Sequence, residues 1–75
     1  MDKVKEIIAK VFEINSEKIM PEMTPDDIER WDSLGQLMLI SDLEKEFNIV
    51  FDMNEIFEIV NIGDIYKILK RKKVI

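Results

Sequence analysis

The chain contains neither cysteine nor histidine, and both absences restrict what it can do. Without cysteine there is no disulfide and no protein thiolate, and without either residue the usual structural zinc sites are excluded. The commonest general base and the thiol nucleophile of enzymes are missing as well. We therefore expect no catalytic residue and no metal site. The fold must then be held by side-chain packing, for which 47% of the 75 residues are hydrophobic.

Long apolar runs are also missing. No stretch approaches the roughly 18 apolar residues of a spanning helix. Met1-Asp2-Lys3 is not followed by the apolar core of a signal peptide. Together with the lack of cysteine, these features predict a cytoplasmic protein that is not embedded in a membrane. The length suits one domain over residues 1–75.

Positive charge is scarce outside the C-terminus. Of 11 Lys and Arg residues, four form the run Lys70, Arg71, Lys72 and Lys73, so the rest of the chain has seven cations against 16 acids. Such an acidic body repels phosphate backbones, which argues against nucleic-acid binding, and it suits partners that dock through Lys and Arg. The basic run itself suits the negative end of a helix dipole.

Hydrophobic spacing predicts two long helices. The first runs from about Asp2 to Ile14, because its apolar residues recur at intervals of three and four. These residues are Val4, Ile7, Ile8, Val11 and Phe12. The second runs from Ser33 to about Phe47 and is apolar over more than half its early circumference. Such an excess of apolar surface indicates deep burial or a binding face.

Two shorter helices follow. Asp52 with Glu55 fits a capping box that opens a helix to about Ile59. Asn61 with Asp64 repeats that arrangement before a last helix, which carries Ile65, Ile68 and Leu69. Residues 48–53 are short, β-rich and ambiguous. The predicted fold is all-α, a four-helix bundle with a long loop between helices 1 and 2 and a short third helix.

The long loop, residues 15–32, has structure of its own. Thr24 followed by Pro25, with Asp27 three positions after Thr24, predicts a capped single turn. Apolar residues spaced along the loop should fasten it to the body. They are Ile19, Met20, Met23, Ile28 and Trp31.

The serine at the end of this loop allows two interpretations. At the start of a helix, Ser33 is ordinarily an N-cap that accepts a backbone N–H. The same position also favours a phosphate, because free N–H groups and the helix dipole attract anions. The residues alone leave both open.

Asp32-Ser33-Leu34, opening a helix that runs through Leu43-Glu44-Lys45-Glu46-Phe47, resembles the acyl carrier protein family. The order of helices and loop resembles that family over almost the whole chain. The resemblance implies that a magnesium-dependent phosphopantetheinyl transferase attaches 4′-phosphopantetheine from coenzyme A to Ser33. The thiol of that arm would hold an acyl or aminoacyl group as a thioester. Acyl-loading and acyl-using enzymes of fatty-acid, polyketide or related biosynthesis would then be partners, and the chain itself would not be an enzyme.

The resemblance also implies two further sets of residues. Partner recognition would use the helix after Ser33, with Asp32, Leu34, Gly35, Leu37, Met38 and Asp42. An acyl pocket would be formed by Leu39, Ile40, Leu43, Phe47, Ile59, Ile62 and Ile65, all of which also suit a plain core.

The sequence departs from the family pattern just after the motif. Members from fatty-acid synthesis carry acids there, whereas this chain has Gly35 and Gln36, and Met38 and Ser41 are expected to face outward. A more apolar docking surface resembles that of stand-alone carriers of specialised pathways. Trp31 before the motif fits that type, and it equally suits a core plug for the loop.

Two alternatives belong to other classes of protein. One is an unmodified helical protein-interaction module whose Ser33 is only an N-cap. The other is a small acidic enzyme subunit whose partner supplies the missing base. For the carrier itself we also expect a monomer.

Overall fold

The computed structural model describes residues 2–75, and every structural statement below concerns that part of the chain. It contains four α-helices: α1 (Lys3–Phe12), α2 (Ser33–Phe47), α3 (Met53–Glu58) and α4 (Ile62–Arg71). A short 3₁₀ turn spans Ser16–Lys18. No strand occurs in residues 2–75, and the ambiguous stretch after α2 is irregular. The predicted all-α fold, with its long loop and short third helix, is confirmed.

Capping explains where α1 begins and ends. Asp2 lies just outside the helix, and its Oδ1 accepts hydrogen bonds from the Val4 and Lys5 amides at 3.0 and 3.2 Å. At the other end Glu13 adopts a left-handed conformation with φ of 54°, which stops the helix after Phe12. The prediction that α1 extends to Ile14 was therefore wrong by two residues.

Both predicted capping boxes are present. The Asp52 side chain accepts from the Glu55 amide at 2.8 Å, and the Glu55 side chain accepts from the Asp52 amide at 3.0 Å. Asn61 and Asp64 repeat the exchange at the start of α4, at 2.9 and 3.2 Å. Because α3 is only six residues long, the Asp52–Glu55 pair fixes a large part of that helix.

The loop before α2 is fastened by its backbone and by four of the five predicted apolar side chains, of which Met23 is partly buried against the core. Ile19, Ile28 and Trp31 are buried, as predicted. Met20 was expected to be buried and is exposed, because it begins a turn closed by the Met23 amide donating to its carbonyl.

Backbone hydrogen bonds, and not the Met20 side chain, anchor the turn that begins at Met20. The Gly63 amide donates to the Pro21 carbonyl at 2.8 Å, and the Ile62 amide donates to the Met23 carbonyl at 3.0 Å. The predicted turn at Thr24 is present as well. There the Thr24 amide donates to Asp27 Oδ2 at 2.9 Å.

The core lies between α1, α2 and α4 and is closed by loop residues. Helices α1 and α2 are antiparallel: Val11 lines the same cavity as Leu34 and Met38, whereas Ile7 lies beside Glu46 near the end of α2. Most of the fully buried side chains come from these three helices. They include Phe12, Ile8, Leu39, Leu43, Ile62, Ile65, Ile68 and Leu69. In residues 2–75, no helix is long and apolar enough to cross a membrane.

Helix α3 has no fully buried residue, although Ile56 packs against the core, and ion pairs join it to the end of α4. The Arg71 guanidinium makes two 3.1 Å hydrogen bonds to the Glu58 carboxylate. Lys72 Nζ lies 2.9 Å from Glu55 Oε1 and donates to the Val50 carbonyl, also at 2.9 Å. The basic run thus has a second role beyond the helix dipole, which is to attach α3 to the bundle.

Candidate functional site

Ser33 is the first residue of α2, and it is not the residue that caps the helix. The N-cap is Asp32, whose Oδ1 accepts a hydrogen bond from the Gly35 amide at 2.8 Å. The interpretation of Ser33 as an N-cap is therefore wrong, because a carboxylate one residue earlier takes that role. Ser33 is exposed, and within residues 2–75 its hydroxyl has no hydrogen-bond partner. A hydroxyl oxygen is thus exposed to solvent at the positive end of a helix.

Gly35 is fixed by packing against the preceding loop. It is buried, and a Cβ placed on it would overlap the carbonyl oxygen of Arg30. Only glycine allows this loop to lie so close to the first turn of α2. Gly35 was predicted to take part in partner recognition, yet it offers no side chain and little surface. Its position supports a steric role at the site.

Trp31 closes the loop directly before the motif. Its ring stacks on Phe12 with a centroid distance of 5.3 Å and an interplanar angle of 27°. Its buried indole Nε1 donates to Gln36 Oε1 at 2.7 Å, which satisfies the one polar group of the ring. Trp31 therefore packs as a core plug for the loop. The sequence marked Gln36 only as a departure from the family's acids, and its role as acceptor for the Trp31 indole was not predicted, although a buried indole needs an acceptor.

The face of α2 beside Ser33 is apolar and exposed. Leu34, Leu37 and Met38 are 66%, 62% and 49% exposed. Asp32 is exposed on the same end of the helix, and Asp42 is half-buried further along. The structure thus brings the remaining predicted recognition residues onto, or beside, accessible surface of a single helix.

The predicted acyl-pocket residues are brought together in the core. Five of them are buried: Leu39, Ile40, Leu43, Ile62 and Ile65. The other two, Phe47 and Ile59, are partly buried and pack against the same cluster. Such close packing means that a cargo could enter only if side chains moved apart.

A groove of about 350 Å³ lies between the end of α1 and the start of α2, and Ser33 is not among the residues that line it. Asp32 and Leu34, the neighbours of Ser33 on both sides, line it, as do Glu13, Arg30 and Met38. Arg30 Nη1 lies 3.0 Å from Glu13 Oε2. The exposed Ser33 hydroxyl at the positive end of α2 fits a phosphate-linked arm.

A family model described as a phosphopantetheine attachment site matches residues 2–69. This chain belongs to that family. As a phosphopantetheine-attachment protein it carries covalently bound 4′-phosphopantetheine, and it is a carrier and not an enzyme. Within residues 2–75, no group of three or more Asp or Glu side chains is arranged to hold a metal ion.

Solved structures of acyl carrier proteins share the fold of this phosphopantetheine-attachment protein. The solution structure of a holo acyl carrier protein from Geobacter metallireducens has a TM-score of 0.84 and 31% sequence identity, covering 93% of this chain and 80% of that one. A putative acyl carrier protein from Mycobacterium tuberculosis has a TM-score of 0.80 and 25% identity, covering 92% of each chain. The carrier is therefore of the acyl carrier protein type.

Proposed function

We propose that Ser33 bears the 4′-phosphopantetheine arm and that the chain is a stand-alone carrier in fatty-acid, polyketide or related biosynthesis. The observation that supports this assignment is the exposed Ser33 hydroxyl, which is not used in capping because Asp32 is the N-cap of α2. A serine engaged as an N-cap would have to give up that hydrogen bond before it could react.

The attachment reaction needs only an accessible alcohol from this chain. The transferase removes the Ser33 proton, Oγ bonds to the phosphorus nearest the pantetheine of coenzyme A, and adenosine 3′,5′-bisphosphate leaves. The arm supplies a terminal thiol, which this cysteine-free chain lacks, and that thiol can hold an acyl or aminoacyl group as a thioester. Asp32 holds the first turn of α2 in place while Ser33 is accessible.

The test is incubation of the purified chain with coenzyme A, magnesium and a promiscuous phosphopantetheinyl transferase, followed by intact-mass spectrometry. The wild-type chain should gain the mass of one phosphopantetheinyl group, and Ser33→Ala should gain none. Ser41→Ala is the matched control, because Ser41 is an exposed serine on the same helix. Retention of the adduct in Ser33→Ala, or its absence from wild type with several transferases, would contradict the assignment.

We further propose that the transferase and the acyl-handling enzymes dock on the exposed face of α2. Leu34, Leu37 and Met38 provide its apolar part, and Asp32 and Asp42 provide negative charge that suits Lys and Arg on a partner. Few acids lie on this face, which favours a specialised pathway over general fatty-acid synthesis.

The acyl cargo is proposed to insert into the core among the seven predicted pocket residues. Phe47 and Ile59, which lie at the margin of the core, are suited to yield first. The monomeric state and the cytoplasmic location remain predictions from the sequence. Light scattering of the holo form tests the first, and fractionation of source cells tests the second.

A further inference from the structure

We propose that the basic end of α4 forms an ionic latch that holds α3 over the core, and that opening of this latch is the step that admits acyl cargo. The latch consists of Arg71 and Lys72 at the end of α4 and of Glu55 and Glu58 on α3. The inference rests on the proposed insertion of cargo into the core. It adds to that proposal the element that moves and the contacts that keep it closed.

The two faces of α3 connect the latch to the core. Ile56 and Ile59, three residues apart, are partly buried and pack against the core cluster, and Ile59 is one of the proposed pocket residues. Each of these isoleucines directly follows a glutamate of the latch in the chain. Because Glu55 and Glu58 are held by the end of α4, the neighbouring isoleucines are held against the core as well. Release of the glutamates lets both isoleucines leave the core together.

Helix α3 depends on outside support because it is short. Its six residues are fewer than an isolated helix needs to be stable in water, and none of them is fully buried. The capping box of Asp52 and Glu55 fixes its first turn without joining it to another helix. Within residues 2–75, every hydrogen bond and ion pair between α3 and the end of α4 involves Arg71 or Lys72.

The inner pair of the latch, Lys72 with Glu55, is largely shielded from water. Lys72 Nζ lies 2.9 Å from Glu55 Oε1, and the two side chains are only 20% and 14% exposed. The same ammonium donates to the Val50 carbonyl at 2.9 Å and lies 5.6 Å from the centre of the buried Phe51 ring. Lys72 therefore joins the end of α4 both to α3 and to the segment that precedes α3.

The outer pair, Arg71 with Glu58, is more open to water. The guanidinium makes two 3.1 Å hydrogen bonds to the carboxylate, and the side chains are 55% and 48% exposed. Such a pair contributes little, because solvent screens it and because ordering two long side chains costs entropy. We therefore expect removal of the Lys72 charge to loosen α3 more than removal of the Arg71 charge.

The other walls of the proposed pocket are harder to move. Leu39, Leu43 and Ile65 are fully buried and belong to α2 and α4, which supply much of the core. Displacing either of those helices exposes several buried apolar side chains to water at once. Displacing α3 exposes no fully buried residue of that helix and releases the partly buried Ile56 and Ile59. Helix α3 is therefore the wall that opens at the least cost.

The experiment measures two processes by nuclear magnetic resonance in protein loaded with octanoyl groups whose terminal methyl carries ¹³C. Amide hydrogen exchange reports the opening of α3, and exchange spectroscopy of the labelled methyl reports passage of the cargo between core and solvent. Lys72→Gln should speed both processes several-fold, and Arg71→Gln should speed both by less. Because insertion and exit both require opening, the direction of this change is the same whichever state of the cargo is favoured.

Lys70→Gln is the matched control, because it removes a charge from the same basic run. Within residues 2–75, Lys70 takes part in no ion pair, so this variant should change neither process. The amides of α1 should keep their exchange rates in every variant, which separates release of α3 from a general loss of stability.

Reversal of the outer pair provides a second test. Arg71→Glu places two like charges opposite each other and should speed both processes. Addition of Glu58→Arg restores an ion pair of opposite polarity and should bring both rates back toward those of wild type.

Two results would overturn the inference while leaving insertion intact. One is an unchanged exchange of the α3 amides in Lys72→Gln, and the other is faster exchange of those amides with an unchanged rate of cargo passage. If the labelled methyl shows only a solvent-exposed state in every sample, the insertion proposal fails and this one fails with it.

Discussion

Gly35 shows how the backbone of a neighbour can determine the identity of a single residue. We expect Gly35→Ala to lower the free energy of unfolding by about 1–3 kcal/mol, the usual cost of overpacking. Alanine gains up to about 1 kcal/mol of helix propensity over glycine, yet the overlap is with a backbone carbonyl next to the buried Trp31. Urea denaturation measures the change.

Gly63→Ala is the matched control for this prediction. A Cβ there would lie 3.2 Å from Asn61 Oδ1 and 3.3 Å from the Pro21 carbonyl oxygen, which small shifts can relieve. Its cost should therefore be smaller than that of Gly35→Ala. Equal losses of unfolding free energy in the two variants, or a stabilised Gly35→Ala, would show that the backbone at Arg30 moves aside easily.

Sequence reasoning at the residue scale succeeded where the signal was local or carried by a family motif. Trp31 was recognised as a candidate plug because an isolated tryptophan in a loop needs burial. The pairing of Arg30 with Glu13 and that of Gln36 with the Trp31 indole were not predicted, because spacing along the chain identifies neither partner. Met20 was misjudged because its side chain looks like an anchor, whereas backbone bonds hold that turn.

At the scale of elements, α2 has a buried face and an exposed apolar face. We expect Leu37→Ser to lower kcat/KM for modification by the transferase several-fold while leaving the unfolding midpoint nearly unchanged, since Leu37 is largely exposed. Val50→Ser is the control, because Val50 is an exposed apolar residue outside α2. Equal kcat/KM for the two variants would argue against docking on α2.

The short helix α3 should be the element most sensitive to acid. The Asp52 amide, and then the Lys72 ammonium, hold the pKa of Glu55 below its ordinary value of 4.5. A lowered pKa means that the charged form stabilises the folded state above that ordinary value, and that this contribution is lost as the pH falls through the lowered pKa. Because α3 has no fully buried residue, we expect its amides to lose protection before those of α1 on acidification.

Hydrogen exchange followed by nuclear magnetic resonance measures this difference between α3 and α1. Glu55→Gln keeps an oxygen acceptor for the Asp52 amide and removes the titrating charge, so α3 in this variant should show a weaker dependence on pH. Simultaneous loss of protection in α1 and α3 in wild type would contradict the prediction.

The positions of the helices were predictable because capping and hydrophobic spacing act over a few residues. Both capping boxes were predicted from pairs three residues apart. The attachment of α3 to α4 was not, because Arg71 and Glu58 are 13 residues apart and only the folded chain brings them together. The early end of α1 was missed for a similar reason, since nothing in the local pattern marks Glu13 as left-handed.

At the scale of the whole molecule, the proposed insertion of cargo requires one core both to hold the fold and to open. The order of helices and the identity of most core residues followed from the sequence, since apolar stripes on three helices have to face one another. Whether a cavity opens among the core side chains depends on how they pack in three dimensions, which the spacing of apolar residues along the chain does not determine. Leu39, Leu43 and Ile65 are fully buried, so any cargo must displace side chains from contact.

Leu43→Ala tests this proposal by opening the space in advance. Truncating a buried leucine costs about 2–5 kcal/mol and leaves an apolar cavity. An acyl chain that inserts among the pocket residues would fill that cavity and recover about 0.8 kcal/mol per buried methylene. We therefore expect octanoyl loading to raise the Tm of Leu43→Ala more than that of wild type, each compared with its own holo form by calorimetry.

Val50→Ala is the control, because Val50 is exposed and its truncation leaves no space in the core. Octanoyl loading should raise its Tm only as much as in wild type. Ile65→Val costs only about 0.5–1.5 kcal/mol and extends the test should Leu43→Ala fail to fold. An acyl chain that remains in solvent has the same surroundings in every variant, so equal Tm shifts across wild type, the core variants and the control would exclude insertion and leave the seven residues as core alone.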